Sequence, residues 1–254
     1  MEWTLAHLII AFSGAFLAGA INALAGNGSV ITLTILTELL GLPGNIANAT
    51  NRVGVLMNAA GAMTGFQRNK RVNYLLHLRY IIPVVIGAIG GIYVATIVTN
   101  EQFLWVFKIL MVVMLIVILV KPERWLLKVP EESLLPAWME WPVMMLLGLY
   151  GGFIQMGMGV FYLAVMVLVA RLPIIEANSI KAMAIALLTI IAVVIFSLTG
   201  KIVWSIGIVM GVAQFFGGWF SAHYASRVPG ASRIAYYVLI VAVLLSLLKL
   251  FNVF

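Results

Sequence analysis

Hydrophobic residues fill long uninterrupted segments of this chain, and polar residues gather between them. Ten apolar segments occur along the 254 residues, and eight of them have 17 or more residues. A helix of that length crosses a hydrocarbon layer of about 30 Å when tilt is allowed for. The second and seventh segments are shorter, and as helices they cover only about 20 Å. The segments are 5–25, 29–41, 46–66, 80–99, 103–120, 141–157, 159–171, 174–199, 202–222 and 232–251. The pattern predicts an all-α polytopic membrane protein.

Both short segments follow a pair of glycines and precede the same polar pattern. Leu42-Pro43 matches Leu172-Pro173, and Asn48 matches Asn178, each 130 residues further along the chain. A glycine-rich match in the fourth segment of each half follows in the same order. This order predicts an internal duplication into two homologous halves. Each half has about four full-length helices and one short, half-spanning helix, an arrangement typical of transporters.

The duplication also predicts how the chain is divided. The first repeat covers 1–120, a polar linker covers 121–140, and the second repeat covers 141–254. Lys and Arg are concentrated in the loop near residue 70 and in the linker, which predicts that both are cytoplasmic. If each half makes five crossing-equivalent steps, the halves are inverted. If the short segments re-enter from one side, each half makes four crossings and the halves are parallel. The distribution of Lys and Arg favours inverted repeats.

The composition excludes several classes of protein. Hydrophobic residues make up 64% of the chain and charged residues 9%, with a mean hydropathy of +1.14, which a soluble core does not accommodate. The net charge of +7 comes mainly from loops beside apolar segments, so nucleic acid is not an expected partner. The chain has no cysteine, its histidines lack metal-ligand spacing, and it has no nucleotide-binding motif. We therefore expect no metal, no cofactor and no ATP-driven pump.

Arg52 gives the sharpest sign of a function. It lies near the start of an otherwise apolar segment, where a cation costs several kcal/mol unless it is paired or hydrated. The alternatives are that Arg52 reaches the membrane interface or is neutralised by Glu38. Asn48, Thr50 and Asn51 precede it within about one helical turn. Together these side chains offer several hydrogen-bond donors to an oxyanion.

Lys181 is the second-half counterpart of this cluster. It follows Asn178 by three residues and aligns with Asn51, one residue before Arg52. Two cations at equivalent positions of two repeats are predicted to meet near the repeat interface and to hold an anion from both sides. The alternative is that Lys181 pairs with Glu176, although a separation of five residues suits a helical pair poorly.

The glycines before the short helices form the rest of the candidate site. Breaks at these positions expose backbone N–H groups at helix ends, where anions bind; the alternative is close helix packing. Amides beside the breaks either bind substrate or join helices. For glycines at GxxxG spacing we predict packing, and these pairs are Gly61/Gly65, Gly87/Gly91 and Gly207/Gly211. The predicted substrate-binding residues are Arg52, Lys181, Asn22, Asn27, Asn48, Thr50, Asn51, Asn178, Gln155, Gly26, Gly28, Gly157 and Gly159.

Two motifs resemble those of the TauE/SafE family of sulfite and organosulfur-anion transporters. They are residues 19–28 (GAINALAGNG) and 47–52 (ANATNR), and the resemblance extends from about residue 12 to residue 250. The family commonly has Thr-Lys in its second half, where this chain has Ser179-Ile180-Lys181. The second glycine motif is also reduced, with Gln155 and Met158 where small residues are usual. The departures concern the substrate contacts of the second half more than the fold.

The resemblance implies a multi-pass carrier of the bacterial inner membrane. Such a carrier moves a small sulfur-containing anion, such as sulfite, thiosulfate, sulfoacetate or a related sulfonate, by alternating access. Its partners are then the anion and the lipid bilayer, and the small-residue helix faces are compatible with a homodimer. The sequence leaves open a channel, a transporter for another small anion or organic acid, and a membrane scaffold that transports nothing. An enzyme is not predicted, because no nucleophile and base have a convincing spacing.

Overall fold

The computed structural model describes residues 4–67, 73–119 and 136–224, with isolated positions between 228 and 248. Within these ranges the regular secondary structure is entirely helical, which confirms the all-α prediction. Most of the predicted linker 121–140 and most of the tenth segment, 232–251, lie outside the described residues.

The described helices follow the predicted apolar segments closely. By length and composition, four of them are long and apolar enough to cross a bilayer, at Leu5–Leu24, Tyr74–Ile97, Glu176–Leu198 and Trp204–His223. The helices are α1 (Leu5–Ala25), α2 (Ser29–Thr34, continued by a π-helical turn at Ile35–Leu39), α3 (Gly44–Gln67), α4 (Leu78–Ile97, preceded by a 3-10 turn at Tyr74–His77), α5 (Asn100–Leu119), α6 (Ala137–Phe153), α7 (Met158–Leu168), α8 (Ile174–Leu198) and α9 (Trp204–His223). The helical segments Ser29–Leu39 and Met158–Val167 are the short ones, as predicted.

Large apolar side chains cover the outward faces of several helices. Ile97 at the end of α4, Trp105 on α5, Leu146 on α6 and Phe220 on α9 are among those that are exposed. Exposed apolar surface on this scale is not found on soluble monomers and suits contact with lipid. The structure therefore describes a multi-pass membrane protein.

The two breaks arise from residues that leave the right-handed helical region. Gly26 adopts φ 77° and ends α1, because only glycine takes this conformation without strain. At the second break, Gln155 has φ 59° and Gly157 has φ 72°. Helix α6 consequently ends at Phe153. The predicted segment 141–157 therefore extends four residues past the end of the helix, because apolar side chains continue where the helical backbone does not.

Helix α2 runs back along α1. A Cβ atom on Gly28 would lie 2.0 Å from the carbonyl oxygen of Ala18, and one on Gly14 would lie 2.4 Å from the Ile35 side chain. Because residue numbers fall in α1 as they rise in α2, the two helices are antiparallel. The first half of the chain therefore begins with a hairpin whose second arm is half-length.

Glycines bring two pairs of long helices into backbone contact. Along α4 and α6 the numbers rise together, since added Cβ atoms on Gly87 and Gly91 would lie 2.0 Å and 1.9 Å from the carbonyl oxygens of Met145 and Leu149. Along α3 and α9, Cβ atoms on Gly61 and Gly65 would meet Phe215 and Ala222, and those on Gly207 and Gly211 would meet Val53 and Met57. Both pairs are parallel, and the predicted packing role of the GxxxG glycines is confirmed.

Helix α3 also crosses α8, and here the two helices are antiparallel. The Arg52 guanidinium lies over the Phe196 ring, 5.9 Å from its centroid. Further along α3, Ala62 and Phe66 line the same cavity as Lys181. Rising numbers in α3 thus meet falling numbers in α8, which determines where the candidate residues of the two halves lie.

Gly90 and Gly91 provide a matched test of this packing. We expect Gly91→Ala to destabilise the protein by about 1–3 kcal/mol, because the new methyl group would overlap backbone atoms of α6. Gly90→Ala should be tolerated, since its Cβ would meet only a Leu149 side-chain atom at 3.9 Å. Thermal unfolding in detergent measures both variants. Equal stability of the two would contradict the α4–α6 contact.

Candidate functional site

The two glycine breaks touch each other inside the protein. A Cβ atom on Gly26 would lie 2.7 Å from the carbonyl carbon of Gly159, and one on Gly159 would lie 2.5 Å from the carbonyl oxygen of Gly26. Only residues without a side chain permit this approach. The short helices α2 and α7 therefore begin beside a shared backbone contact between the two halves of the chain.

Arg52 holds the end of α6. Its Nη1 donates to the Gly151 carbonyl at 2.7 Å and to Gln155 Oε1 at 2.6 Å, and its Nη2 donates to the Gly152 carbonyl at 2.7 Å. Asn48, one turn earlier on α3, donates to the Phe153 carbonyl at 2.9 Å. The last carbonyls of a helix have no intrahelical donor, and a cation there is favoured by the helix dipole. One face of α3 thus caps the break of the second half.

The surroundings of Arg52 show whether its charge reaches the membrane interface, is neutralised by Glu38, or is available to a ligand. Its side chain is 0% exposed, so it does not reach the membrane interface. Its hydrogen-bond acceptors in the described part of the chain are neutral oxygens, and Glu38 is not among them. Among the described residues the charge therefore has no acidic partner, and its burial is costly unless a helix end or an anion compensates it.

Gln155 links the second break to α8. Its side chain is buried, and its Nε2 donates to Thr189 Oγ1 at 3.0 Å while its Oε1 accepts from Arg52. Its left-handed backbone is rare for a residue with a side chain. The hydrogen bonds to Arg52 and Thr189 fix this conformation and hold the break against α3 and α8.

Asn58 organises the first break, although it is not among the residues predicted from the sequence. Its Nδ2 donates to the carbonyls of Gly19 at 3.0 Å and Gln214 at 2.9 Å, and its Oδ1 accepts from Asn22 Nδ2 at 2.7 Å. Asn22 Oδ1 in turn accepts from the Gly28 amide. Asn58 therefore joins α1, α3 and α9. The signal that could have found it is an amide in the apolar part of α3, six residues after Arg52.

Several buried polar atoms around the breaks have no hydrogen-bond partner among the residues that the structure describes. Asn27 is 0% exposed, and neither its Oδ1 nor its Nδ2 is bonded. Asn48 Oδ1, Asn51 Nδ2 and Arg52 Nε are also unpaired. Buried polar groups are usually satisfied, and each orphan calls for an explanation. A polar ligand between the breaks would supply their missing partners.

Other predicted residues have structural partners. Asn51 Oδ1 accepts from Thr32 Oγ1 at 2.7 Å, which joins α3 to α2. Thr50 Oγ1 accepts from the Val203 amide at 3.1 Å, which fixes the start of α9. Gly28 packs against α1 as described above, and Gly157 supplies the left-handed residue before α7. These contacts shape the site without excluding a ligand from the unpaired atoms.

Lys181 lies beside a small cavity. It is 4% exposed, and its Nζ donates to Asn178 Oδ1 at 2.7 Å. The cavity is about 10 Å³, room for roughly one water molecule. The described ion pair of Glu176 is with His77, whose Nε2 lies 2.8 Å from the carboxylate, and not with Lys181. The cavity is lined by Asn22, Ala23, Asn58, Ala59, Ala62, Phe66, Asn178, Lys181, Ala182 and Ile185.

The structure places the two cations at different depths. Arg52 lies beside Phe196, whereas Lys181 shares its cavity with Asn58, which is about 9 Å further along α3. The two side chains share no hydrogen-bond partner within the described ranges. Because α3 and α8 are antiparallel, the starts of these two helices lie towards opposite ends of the helix pair.

Comparison with known proteins gives one consistent result. The family model described as "Sulfite exporter TauE/SafE" matches residues 11–248. A probable membrane transporter protein, ORF9 of Sinorhizobium sp, is 26% identical over 243 residues, covering 95% of this chain and 92% of that protein. The probable membrane transporter protein YfcA of Escherichia coli strain K12 is 27% identical over 212 residues, covering 82% and 77%. No solved structure gives a significant match. Since the family model spans almost the whole chain, this protein belongs to the sulfite exporter TauE/SafE family of membrane transporters.

Proposed function

We propose that this protein is a secondary carrier for small sulfur-containing anions, such as sulfite, thiosulfate, sulfoacetate or related sulfonates. The observation that carries the proposal is Arg52, a fully buried cation whose acceptors are neutral oxygens. The description of the family as sulfite exporters supports a sulfur oxoanion. The bacterial relatives, named as probable membrane transporters, support the inner membrane as its location.

The site has the chemistry that an oxoanion requires. A sulfur oxoanion is strongly hydrated, so a carrier must replace most of its water hydrogen bonds before it can cross. Charged donors do this best, because hydrogen bonds to ionised groups are about twice as strong as neutral ones. Arg52 and Lys181 supply the charge. Unpaired N–H groups of Asn27 and Asn51, together with the backbone of the breaks, supply directed donors.

We infer that the two halves are inverted repeats. Helix α6, the counterpart of α1, is parallel to α4, and α8 is antiparallel to its own counterpart, α3. Helix α2 returns along α1, so the directions of the first five helices alternate. Each long helix of the second half then opposes its counterpart in the first half. This geometry supports the division into a first repeat at 1–120, a linker at 121–140 and a second repeat at 141–254.

Transport by alternating access follows from an inverted repeat with a central site. The breaks provide hinges, since backbone torsions there are not constrained by helical hydrogen bonds. Rocking of one repeat against the other exposes the cations first to one side of the membrane and then to the other. A pair of subunits is not needed for this motion, although the exposed helix faces allow a homodimer.

The test is anion flux into proteoliposomes under a fixed membrane potential, with sulfite, thiosulfate and sulfoacetate in turn. We expect saturable flux for the wild type, and its loss in Arg52→Ala and Lys181→Ala. Arg79→Ala is the control, because Arg79 is exposed and its guanidinium contacts Tyr80 outside the site. Flux that never saturates would indicate a channel. Flux of other anions but not of sulfur anions would show that the substrate is a different anion. The absence of any flux would favour a scaffold that transports nothing.

A further inference from the structure

The two repeats make the same contact in two different ways. In the first, Arg52 and Asn48 of α3 donate to the last three residues of α6, and the contact is closed. In the second, Lys181 of α8 lies across a small cavity from Asn22 and Ala23, in the last turns of α1, and within the described chain it donates to Asn178 on its own helix instead. We call this second contact open because Lys181 does not cap α1, although the cavity itself, at about 10 Å³, has room for only about one water molecule.

The open contact leaves donors of Lys181 unused. An ammonium group has three N–H donors, and the hydrogen bond of Lys181 within the described chain goes to Asn178, on its own helix. Asn22 and Asn58, across the cavity, are bonded to each other and to backbone groups. Lys181 therefore offers cationic donors to this cavity, and the cavity walls away from the amides are mostly small and apolar.

Resting on the proposed function, we propose that in this conformation Lys181 is the cation available to an anion, which enters as the small cavity beside Lys181 widens, while Arg52 acts as a latch on the end of α6. In the opposite conformation the roles exchange. Lys181 then caps the last carbonyls of α1, and Arg52 is released from Gly151 and Gly152 to bind the anion. An anion and a helix end compete for the same cation, so an anion bound to the uncapped cation prevents that cation from capping its helix. Anion binding is thereby coupled to the change of conformation.

Inverted repeats give this exchange a physical basis. Two equivalent halves with different conformations in one state adopt each other's conformations in the other state. The closed contact between Arg52 and α6 is thus a template for the contact between Lys181 and α1. Both cations are too deeply buried to remain uncompensated, so each needs either a helix end or an anion.

Cysteine accessibility provides the test, because the natural chain has no cysteine. Ala62 lines the Lys181 cavity, and Ala192 lies 130 residues further on, buried on α8 between Thr189 and Phe196. Ala62→Cys and Ala192→Cys are labelled with a membrane-impermeant thiol reagent in vesicles of both orientations. The anion is sulfoacetate, which does not react with the reagent, and chloride at equal ionic strength is the control.

We expect Ala62→Cys to be labelled, as the cavity widens, from the side where α3 ends and α4 begins, and Ala192→Cys to be protected. Sulfoacetate should slow labelling at Ala62→Cys several-fold. Lys181→Gln should abolish that protection, and Lys181→Arg should retain it. Releasing the latch with Arg52→Gln, or more gently with Asn48→Ala, should reverse the pattern, so that Ala192→Cys is labelled from the other side and Ala62→Cys is protected.

Two outcomes would overturn the inference. If sulfoacetate still slowed the labelling of Ala62→Cys in the Lys181→Gln variant, Lys181 would not be the cation that binds the anion. The exchange of roles would be disproved if neither Arg52→Gln nor Asn48→Ala changed the labelling of Ala62→Cys and Ala192→Cys in opposite directions. The proposed function fails by a separate measurement, which is the absence of flux of any sulfur anion in wild-type proteoliposomes.

Discussion

Arg52→Lys is expected to abolish most transport and to lower stability, even though it keeps the positive charge. The planar fork of arginine reaches two successive carbonyls and Gln155 at once, whereas an ammonium on a lysine stem acts from a single point. Hydrogen bonds to charged groups are worth about 1.5–3 kcal/mol each, so losing two of three costs roughly 3 kcal/mol or more. The measurements are flux in proteoliposomes and the melting temperature in detergent.

Arg79→Lys is the matched control for this substitution. Arg79 is exposed, and its side chain contacts the neighbouring Tyr80 rather than another helix. It should change flux and melting temperature little. If Arg52→Lys behaved like this control, the charge alone would be sufficient and the capping of α6 would not matter.

Gly159→Ala is expected to prevent correct assembly of the two halves. Its methyl group would lie 2.5 Å from the Gly26 carbonyl oxygen and 2.8 Å from the Gly26 Cα atom. Neither atom can move without shifting the break that positions Asn22 and Asn27. Overpacking usually costs about 1–3 kcal/mol, and backbone overlap at a buried crossing belongs at or above the upper end of that range. We expect little folded protein by size-exclusion chromatography and no flux.

Gly207→Ala tests whether any buried glycine would give the same result. Its Cβ would meet the Val53 side chain at 3.2 Å, a contact that a small side-chain movement relieves. This variant should fold with only a modest loss of stability. Similar yields of folded protein from Gly159→Ala and Gly207→Ala would mean that the crossing of the breaks is not needed for assembly.

The helices were predictable because lipid imposes a simple rule on sequence. A segment that crosses the membrane must satisfy its backbone internally and show apolar side chains outward, so α1 ends where the apolar segment ends, at Ala25. The end of α6 was not predictable in this way. Ile154 and Met156 are apolar and buried, and the helix stops before them because side chains of α3 replace the missing backbone donors.

The residues of the candidate site could be predicted from the sequence better than their arrangement in space. Arg52 and Lys181 stand out because a cation inside an apolar segment is rare. Their separation depends on the direction in which α8 crosses α3, and direction is not encoded in hydropathy. The role of Asn58 was not predictable for a related reason. A single amide in an apolar helix forms no sequence pattern that indicates its partners on two other helices.

The hairpin of α1 and α2 has a consequence for how the chain enters the membrane during synthesis. Ser29–Leu39 is too short to span the hydrocarbon layer, and its Thr32 hydroxyl finds Asn51 only when α3 is present. A nascent chain that ends after residue 43 therefore contains one crossing helix and a short second segment that packs only against α1. We therefore expect the first three helices to enter the lipid together, with the break that shapes the site forming only after α3 has been synthesised.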